Sequence, residues 1–521
     1  VVIDLVTVRA PRHMVASADQ LATQAGVAVL AEGGNAVDAA IAANAVLAVT
    51  GPHLCGLGGD LFALVHHGGE VHCLNSSGRA GSGADTAALR SEGFTQMPFR
   101  HDIRSVTVPG CVDGWVALHD RFATMPLARL LAPAVGLAAD GFPASPLLFG
   151  SVALLDELGR IALHELAGQA TRPGARVTRR GVARVLADIG ADGRDGFYGG
   201  EFGRGLLALG AGWFSAADLA RSQADWVAPL AADAFGVTLH TAPPNSQGYL
   251  LLAAAMVAEQ VGLPADPDHP DTAHLLIEAA KVAGHDRPAV LHDTADGNAL
   301  VSAAAARAAQ VDRQRARRWP VAGATGDTTY LCTADSEGNA VSLIQSNASG
   351  FGSWLVEPST GINLHNRGMA FSLVAGHLAE LRAGARPPHT LSPAMATRDG
   401  RLAAAFGTMG GDAQPQVLLQ LAARAFVHGQ SPATAVHARR WALSGAATGF
   451  DTWTTADGPR VTIEGGDPVL VDALIARGHR VEARPLLDHS FGHAHMITRD
   501  AEGFWAGAAD PRAYIGSVAG G

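Results

Sequence analysis

The sequence predicts an α/β protein of αββα type, with two sheets face to face and helices covering both. Three features predict it. Ala-rich segments carry apolar residues at helical spacing, short runs of alternating polarity come in pairs divided by turn residues, and composition changes near residue 327 just before one such pair.

The 521 residues, 48% hydrophobic, suffice for one large α/β body or for two to four modest domains of roughly 100–200 residues each. Glycine, at 62 positions with no G-x-y period, predicts many tight turns and neither collagen nor disorder. The 38 Lys plus Arg against 48 Asp plus Glu give a net charge of −10; with never more than two basic residues in succession, nucleic acid is set aside as a partner. Lysine occurs once, at Lys281, so Arg carries nearly all positive charge. Cys55, Cys73, Cys111 and Cys332 form no C-x-x-C pair, which excludes a zinc ribbon and a disulfide-dense scaffold. The first residues lack a basic stretch followed by an apolar run, and no window holds about 18 uninterrupted apolar residues. The expectation is a cytoplasmic protein without a membrane partner, although a chain not starting with Met is compatible with a removed signal peptide.

Residues 14–50, MVASADQLATQAGVAVLAEGGNAVDAAIAANAVLAVT, read as two helices broken at Gly33-Gly34. After GPHLCGLGGD (51–60), the runs FALVHH (62–67) and EVHCLN (70–75) flank Gly68-Gly69 and predict a hairpin. From about 105 to 285 the pattern reads as mainly helical, with PPNSQGYLLLAAAMVAEQ (243–260) as a turn feeding a helix. Residues 286–327 predict a helix and then an exposed linker, rich in Ala and Arg and finally in small polar residues. TTYLCTADSEGNAVSLIQSN (328–347) predicts a second hairpin about Ser336-Glu337-Gly338-Asn339. RVEARP, HAHMITRD and GFWAGAAD add short strands near the C-terminus, and no repeat of 20–50 residues is visible.

The compositional seam is where chemistry enters. If the bond before Thr328 were cut, Thr328 would carry both a hydroxyl nucleophile and a free α-amine, whose pKa of about 7.7–8.0 suits a general base near neutrality. An internal threonine lacks that amine. On its own, Asp327-Thr328-Thr329 is a weak signal and reads as an ordinary strand start.

The surrounding text is more specific. TTYLCTADSEGNAVSLIQSNASGFGSWLVEPSTGINLHNRG, with GTMGGDAQPQ (407–416) downstream, GGNAVDAAIAAN and GLGGD upstream and GAADPRA (507–513) near the end, resembles the γ-glutamyltranspeptidase family of N-terminal-nucleophile hydrolases over essentially the whole chain. The resemblance implies a four-layer αββα sandwich of that type and self-cleavage between Asp327 and Thr328. A large subunit of 1–327 and a small one of 328–521 would then remain intertwined as one domain, with a dimer of such pairs as the candidate assembly. It further implies Thr328 as the catalytic nucleophile, with Ser346 standing where the family has a hydroxyl residue that orients it. Gly410-Gly411 match the glycine pair whose N–H groups form the oxyanion hole, a role that glycine suits because the backbone can approach the reacting atoms closely. Neither a metal nor an organic cofactor is expected, since no His/Asp cluster stands at ligand spacing. The G-x-G-G-D of residues 56–60 lacks the Gly-Lys-Ser/Thr ending of a phosphate loop, which excludes nucleotide binding.

Departures from the transpeptidase pattern point to the substrate. Where those enzymes carry an acidic residue that grips the substrate ammonium, HNRGMAF (365–371) places Ala370; Arg367 just before it favours a carboxylate instead. In LNSSGRAG (74–81) direct register puts Ser77 at the family's carboxylate-binding Arg and Arg79 two residues on, which leaves Arg79 as a pocket candidate or a surface Arg. PPHTLSP replaces a serine pair by His389-Thr390: Thr390 keeps a hydroxyl, and His389 is either a substrate ligand or a packed, hydrogen-bonded His. Trp354 stands where a small residue is usual, so it either shortens the pocket or belongs to the core. These changes resemble the acylase and amidohydrolase branch, including cephalosporin acylases and oxamate hydrolases. The expected activity is hydrolysis of a small-molecule amide whose acyl part bears a carboxylate. The alternatives are a γ-glutamyltransferase or glutathione hydrolase, a C–C bond hydrolase of the same family, and an unprocessed, non-catalytic homologue.

Overall fold

A computed structural model of the chain describes residues 7–317, 327–445, 452–453 and 458–521. Two seven-stranded antiparallel sheets form its centre. In spatial order the first runs Val8–Ala10, Trp505–Ala508, Ala494–Arg499, Arg401–Thr408, Ala394–Arg398, Val237–Thr241 and Leu230–Ala234. The second runs Ser517–Gly520, Met14–Ser17, Asp327–Ala334, Ala340–Ala348, Asp60–His67, Glu70–Ser76 and Asp225–Val227. The inner faces meet through Met14, Phe62, Tyr330, Cys332, Ile344, Met395 and Ile497. One outer face is covered by Gln20–Ala31, Ala36–Thr50, Leu127–Asp140 and Arg180–Asp192. Tyr249–Val261, Pro270–Gly284 and Gln414–Ala422 cover the other. This is the αββα sandwich expected.

The local chemistry explains the elements that matter. Asn35 caps the Ala36–Thr50 helix through a capping box with Asp38, and all fifteen residues of that helix are buried. Its small Ala side chains let it lie close against the sheet. At Gly34 a Cβ would meet Val29 Cγ1 at 2.7 Å, so the break between the first two helices tolerates no side chain. Gly68 and Gly69 both have positive φ, 60° and 84°, in the two-residue turn between His67 and Glu70, the geometry that follows the right-handed twist of paired strands. The second hairpin turns at residues 335–339, where the Asp335 side chain accepts from Glu337 N and Asn339 N.

One expectation needs correction. The stretch 105–285 includes strands at Asp225–Val227, Leu230–Ala234 and Val237–Thr241. VTLHT is short and alternates buried with half-buried residues, a period-2 signal hidden between longer helical segments. The expected helix after residue 286 is present as Gly297–Ala305. Most of the expected linker, 318–326, lies outside the described residues.

Candidate active site

Thr328 is fully buried near the start of the Asp327–Ala334 strand. Pairing with the next strand shifts register between Asp327 and Thr329, where Asp327 opposes Ala348 and Thr329 opposes Gln345. Such a bulge re-aims the side chain at the irregularity. Thr328 Oγ1 donates to Ser346 Oγ at 3.2 Å and accepts from Gln414 Nε2 at 3.3 Å. Ser346 Oγ is held in turn by Ala348 N at 2.8 Å, and Gln414 Oε1 accepts from Ser392 N at 3.1 Å. The hydroxyl is thus fixed from both strand and helix.

Gly410 and Gly411 join the Arg401–Thr408 strand to the Gln414–Ala422 helix. Their φ angles, 134° and 56°, are accessible to glycine at little cost and strained for other residues. Gln247 Nε2 donates to Gly411 O at 2.9 Å and to Thr390 O at 3.1 Å, tying the turn to the 389–391 segment. Arg367 is buried, and its Nη2 donates to Thr390 Oγ1 at 3.2 Å. Burial lowers its pKa to about 10; Arg287 adds to the lowering, while Asp60 and Asp412 oppose it. Arg287 Nη1 is 3.4 Å from Asp412 Oδ1, so a second guanidinium lies beside the glycine turn. Ala370, in the same short helical turn as Arg367, presents no charge.

Asp60 organises the far side. Its Oδ2 accepts from His389 Nε2 at 3.1 Å, its Oδ1 accepts from Gly78 N at 2.8 Å, and His365 Nδ1 is 3.6 Å away. Burial pushes the Asp60 carboxyl up, but His365, His389 and the Gly78 N–H outweigh it and hold it below the usual range. His389 Nδ1 accepts from Leu391 N at 3.2 Å, which fixes its proton on Nε2. Burial and then Arg367 lower its pKa to about 3, so it is a neutral ring.

The family model for gamma-glutamyltranspeptidase matches residues 22–520. The chain belongs to the gamma-glutamyltranspeptidase family. It is 36% identical to an oxamate amidohydrolase proenzyme of Klebsiella pneumoniae subsp. pneumoniae, covering 96% of each chain. It is 34% identical to a glutathione hydrolase-like YwrD proenzyme of Bacillus subtilis, covering 96% of this chain and 97% of the other. Among solved structures, cephalosporin acylase from Bacillus halodurans superposes with a TM-score of 0.89 at 33% identity, over 99% of this chain and 97% of that one.

Within this gamma-glutamyltranspeptidase fold, Thr328, Ser346, Gly411, Thr390 and Arg367 fall into one linked group, while Arg79, His389 and Trp354, each open to two readings, have their polar groups engaged by other parts of the protein. Arg79 is turned to Asp225, with Nη2 2.5 Å from Oδ2, and contacts Gln223 and the Ser222 carbonyl; Arg386 shares the same carboxylate at 2.7 Å. That carboxylate, absent from the motif in which Arg79 was read, captures the guanidinium. His389 has both nitrogens engaged within the protein, so it is the packed, hydrogen-bonded His of the two readings. Trp354 is a core residue: Gly159 packs on its ring, Arg100 stacks 3.7 Å from the ring centre, and its Nε1 donates to Gly350 O.

Sequence reading assigned no role to Asp60 and Gln414, although both stand inside the quoted motifs. Gln247 and Arg287 left no local signal, because only the fold brings them to the Gly410-Gly411 turn. His274, Glu278 and His479 also gather, with ligand atoms within 4.8 Å of one another, contrary to the expectation of no such cluster. His479 arrives from a distant segment. The atoms are already engaged: His274 Nε2 with Asp312 O at 2.8 Å, His274 Nδ1 with His479 Nε2 at 2.8 Å, and Lys281 Nζ with Glu278 at 2.9 Å and His479 Nδ1 at 3.1 Å. The single lysine occupies the cationic position there.

Proposed function

We propose that this family member cuts itself between Asp327 and Thr328 and then hydrolyses an amide whose acyl part carries a carboxylate. The observation that carries the reading is the Thr328 hydroxyl, held by Ser346 and Gln414 at a strand bulge beside the Gly410-Gly411 turn. In the uncut chain Thr328 is wholly buried, which suits a nucleophile whose first target is its own preceding carbonyl. Oγ1 attacks the Asp327 carbonyl carbon, the C–N bond breaks, and the nitrogen takes the proton to become the α-amine. Water then hydrolyses the ester. In turnover the α-amine accepts the Thr328 hydroxyl proton as Oγ1 attacks the substrate, and delivers it to the departing nitrogen. The Gly410-Gly411 backbone stabilises the oxyanion; each such donor is worth about 10²–10³ in rate. Arg367, steadied on Thr390, receives the substrate carboxylate, and Arg287 adds positive field.

The relative named glutathione hydrolase-like favours a second reading, γ-glutamyl transfer or hydrolysis. Ala370 and Arg367 weigh against it, since neither holds an ammonium. Release from a γ-glutamyl anilide, with and without a dipeptide acceptor, separates the two; strong acceptor-stimulated turnover overturns the acylase reading. Intact mass tests the common step: two fragments, the second beginning at Thr328, are expected.

A further inference from the structure

Residues 154–166, LLDELGRIALHEL, are apolar on two sides. Leu155, Gly159, Leu163 and Leu166 are buried, whereas Leu154, Leu158 and Ile161 are 81%, 59% and 63% exposed. Both sets step by three or four residues, the spacing of one face in the Glu157–Ala162 and His164–Gln169 helices. The inner set closes on the body of the protein: a Cβ at Gly159 would lie 2.6 Å from Trp354 Cε3. The outer set faces away from it, and among the described residues Leu154 is the most exposed large apolar side chain. A helical stretch with apolar residues all round suits a position covered on every side, and apolar side chains gathered at a surface mark a place of contact.

The stripe carries its own complement. Glu157 and Arg160 stand exposed beside it with opposite charge, and Arg160 uses only Nη2 within the chain, donating to Ala153 O at 3.2 Å. Next to the stripe opens a cavity of about 310 Å³, lined on its apolar side by Ile161, Leu163, Leu166, Leu355, Val356 and Pro358. An antiparallel two-fold that sets Glu157 against Arg160 of a second copy sets Arg160 against Glu157 at the same time. Three residues back on one copy and three forward on the other, it brings Leu154 to Leu163, one wall of that cavity. Charge and shape therefore select the same register, and each copy offers a protruding leucine and receives one. A lipid surface or an unrelated partner would need no such match of the face to itself.

We propose that the 154–166 face is the contact between two copies of this chain related by a two-fold axis. Leu154 of each copy sits in the cavity of the other, and two Glu157–Arg160 pairs close the rim. The face needs no cut between Asp327 and Thr328, so the inference stands or falls apart from the reading of Thr328.

The test is mass in solution, by light scattering or sedimentation at micromolar concentration. The wild type is expected near twice the 53.4 kDa calculated for one chain. Leu154→Asp and Ile161→Asp are expected near the mass of a single chain, since each places a charge in an apolar contact twice about the axis. Glu157→Arg and Arg160→Glu are each expected to raise the dimer Kd at least about tenfold by setting like charges together. The two reversals combined restore opposite charges and are expected to return Kd to within about threefold of wild type. All four side chains are exposed, so the variants leave the core as it is. A wild type that stays single, as it would if a lipid surface or another protein covered this face, overturns the proposal. So does a dimer that survives Leu154→Asp, or a double reversal no tighter than the single ones.

Discussion

At the scale of single residues, the site is a set of hydroxyl and guanidinium groups whose positions are set by neighbours. Thr328→Ala removes the proposed nucleophile of self-cleavage and turnover, so a single band near the calculated 53.4 kDa and no turnover are expected on a denaturing gel and in an amidase assay. Thr328→Ser keeps a hydroxyl and is expected to retain slow cleavage. Arg367→Ala is expected to raise KM about tenfold or more for carboxylated acyl groups, from loss of a charge-assisted pair, while leaving neutral acyl substrates nearly unchanged. Equal losses on the two would remove Arg367 from substrate binding. Asp60 acts through His389: its carboxylate fixes the ring that fixes Leu391 N, and between them stands Thr390, the partner of Arg367. Asp60→Asn is therefore expected to shift KM before kcat.

At the scale of elements, the bulge and the glycine turn do the positioning. A regular ladder would give Thr328 no irregularity to re-aim it; the slip between Asp327 and Thr329 supplies one. Gly411→Ala places a side chain at φ 56° and is expected to cut turnover strongly, with a stability cost of about 1 kcal/mol from backbone strain. Gly407 plays a packing role on the same strand, since a Cβ there would collide with the Tyr330 ring. Gly407→Ala is expected to destabilise by about 1–3 kcal/mol, read as a fall in the midpoint of chemical unfolding. The 225–241 strands show why elements are harder to read than motifs: each is too short to outweigh the helical text around it.

At the scale of the whole molecule, each sheet is built of strands from both sides of residue 327, so the two pieces that a cut would leave stay joined by inter-strand ladders. Co-elution of the two pieces on gel filtration is expected, with separation only on unfolding. Acid should weaken the fold through its buried histidines. His53, His389 and His493 titrate at about 3, His495 at about 4 and His479 at about 2, against roughly 6.5 when unfolded. The unfolded chain binds more protons between these values, so stability is full above pH about 6.5 and falls as pH drops toward about 3; thermal midpoints across that range check it. The sequence by itself determined the layered class, both hairpins, the seam and the motifs holding Thr328, Ser346 and Gly410-Gly411, because these depend on local periodicity and on residue types at short spacing. Only the tertiary structure decided which charged groups gather beside the Gly410-Gly411 turn. Arg79 and Arg287 are alike as letters, but Arg79 is captured by Asp225 and Arg287 is brought beside the glycine turn. Which partner a guanidinium finds depends on contacts between residues more than a hundred positions apart, and local sequence carries no record of those.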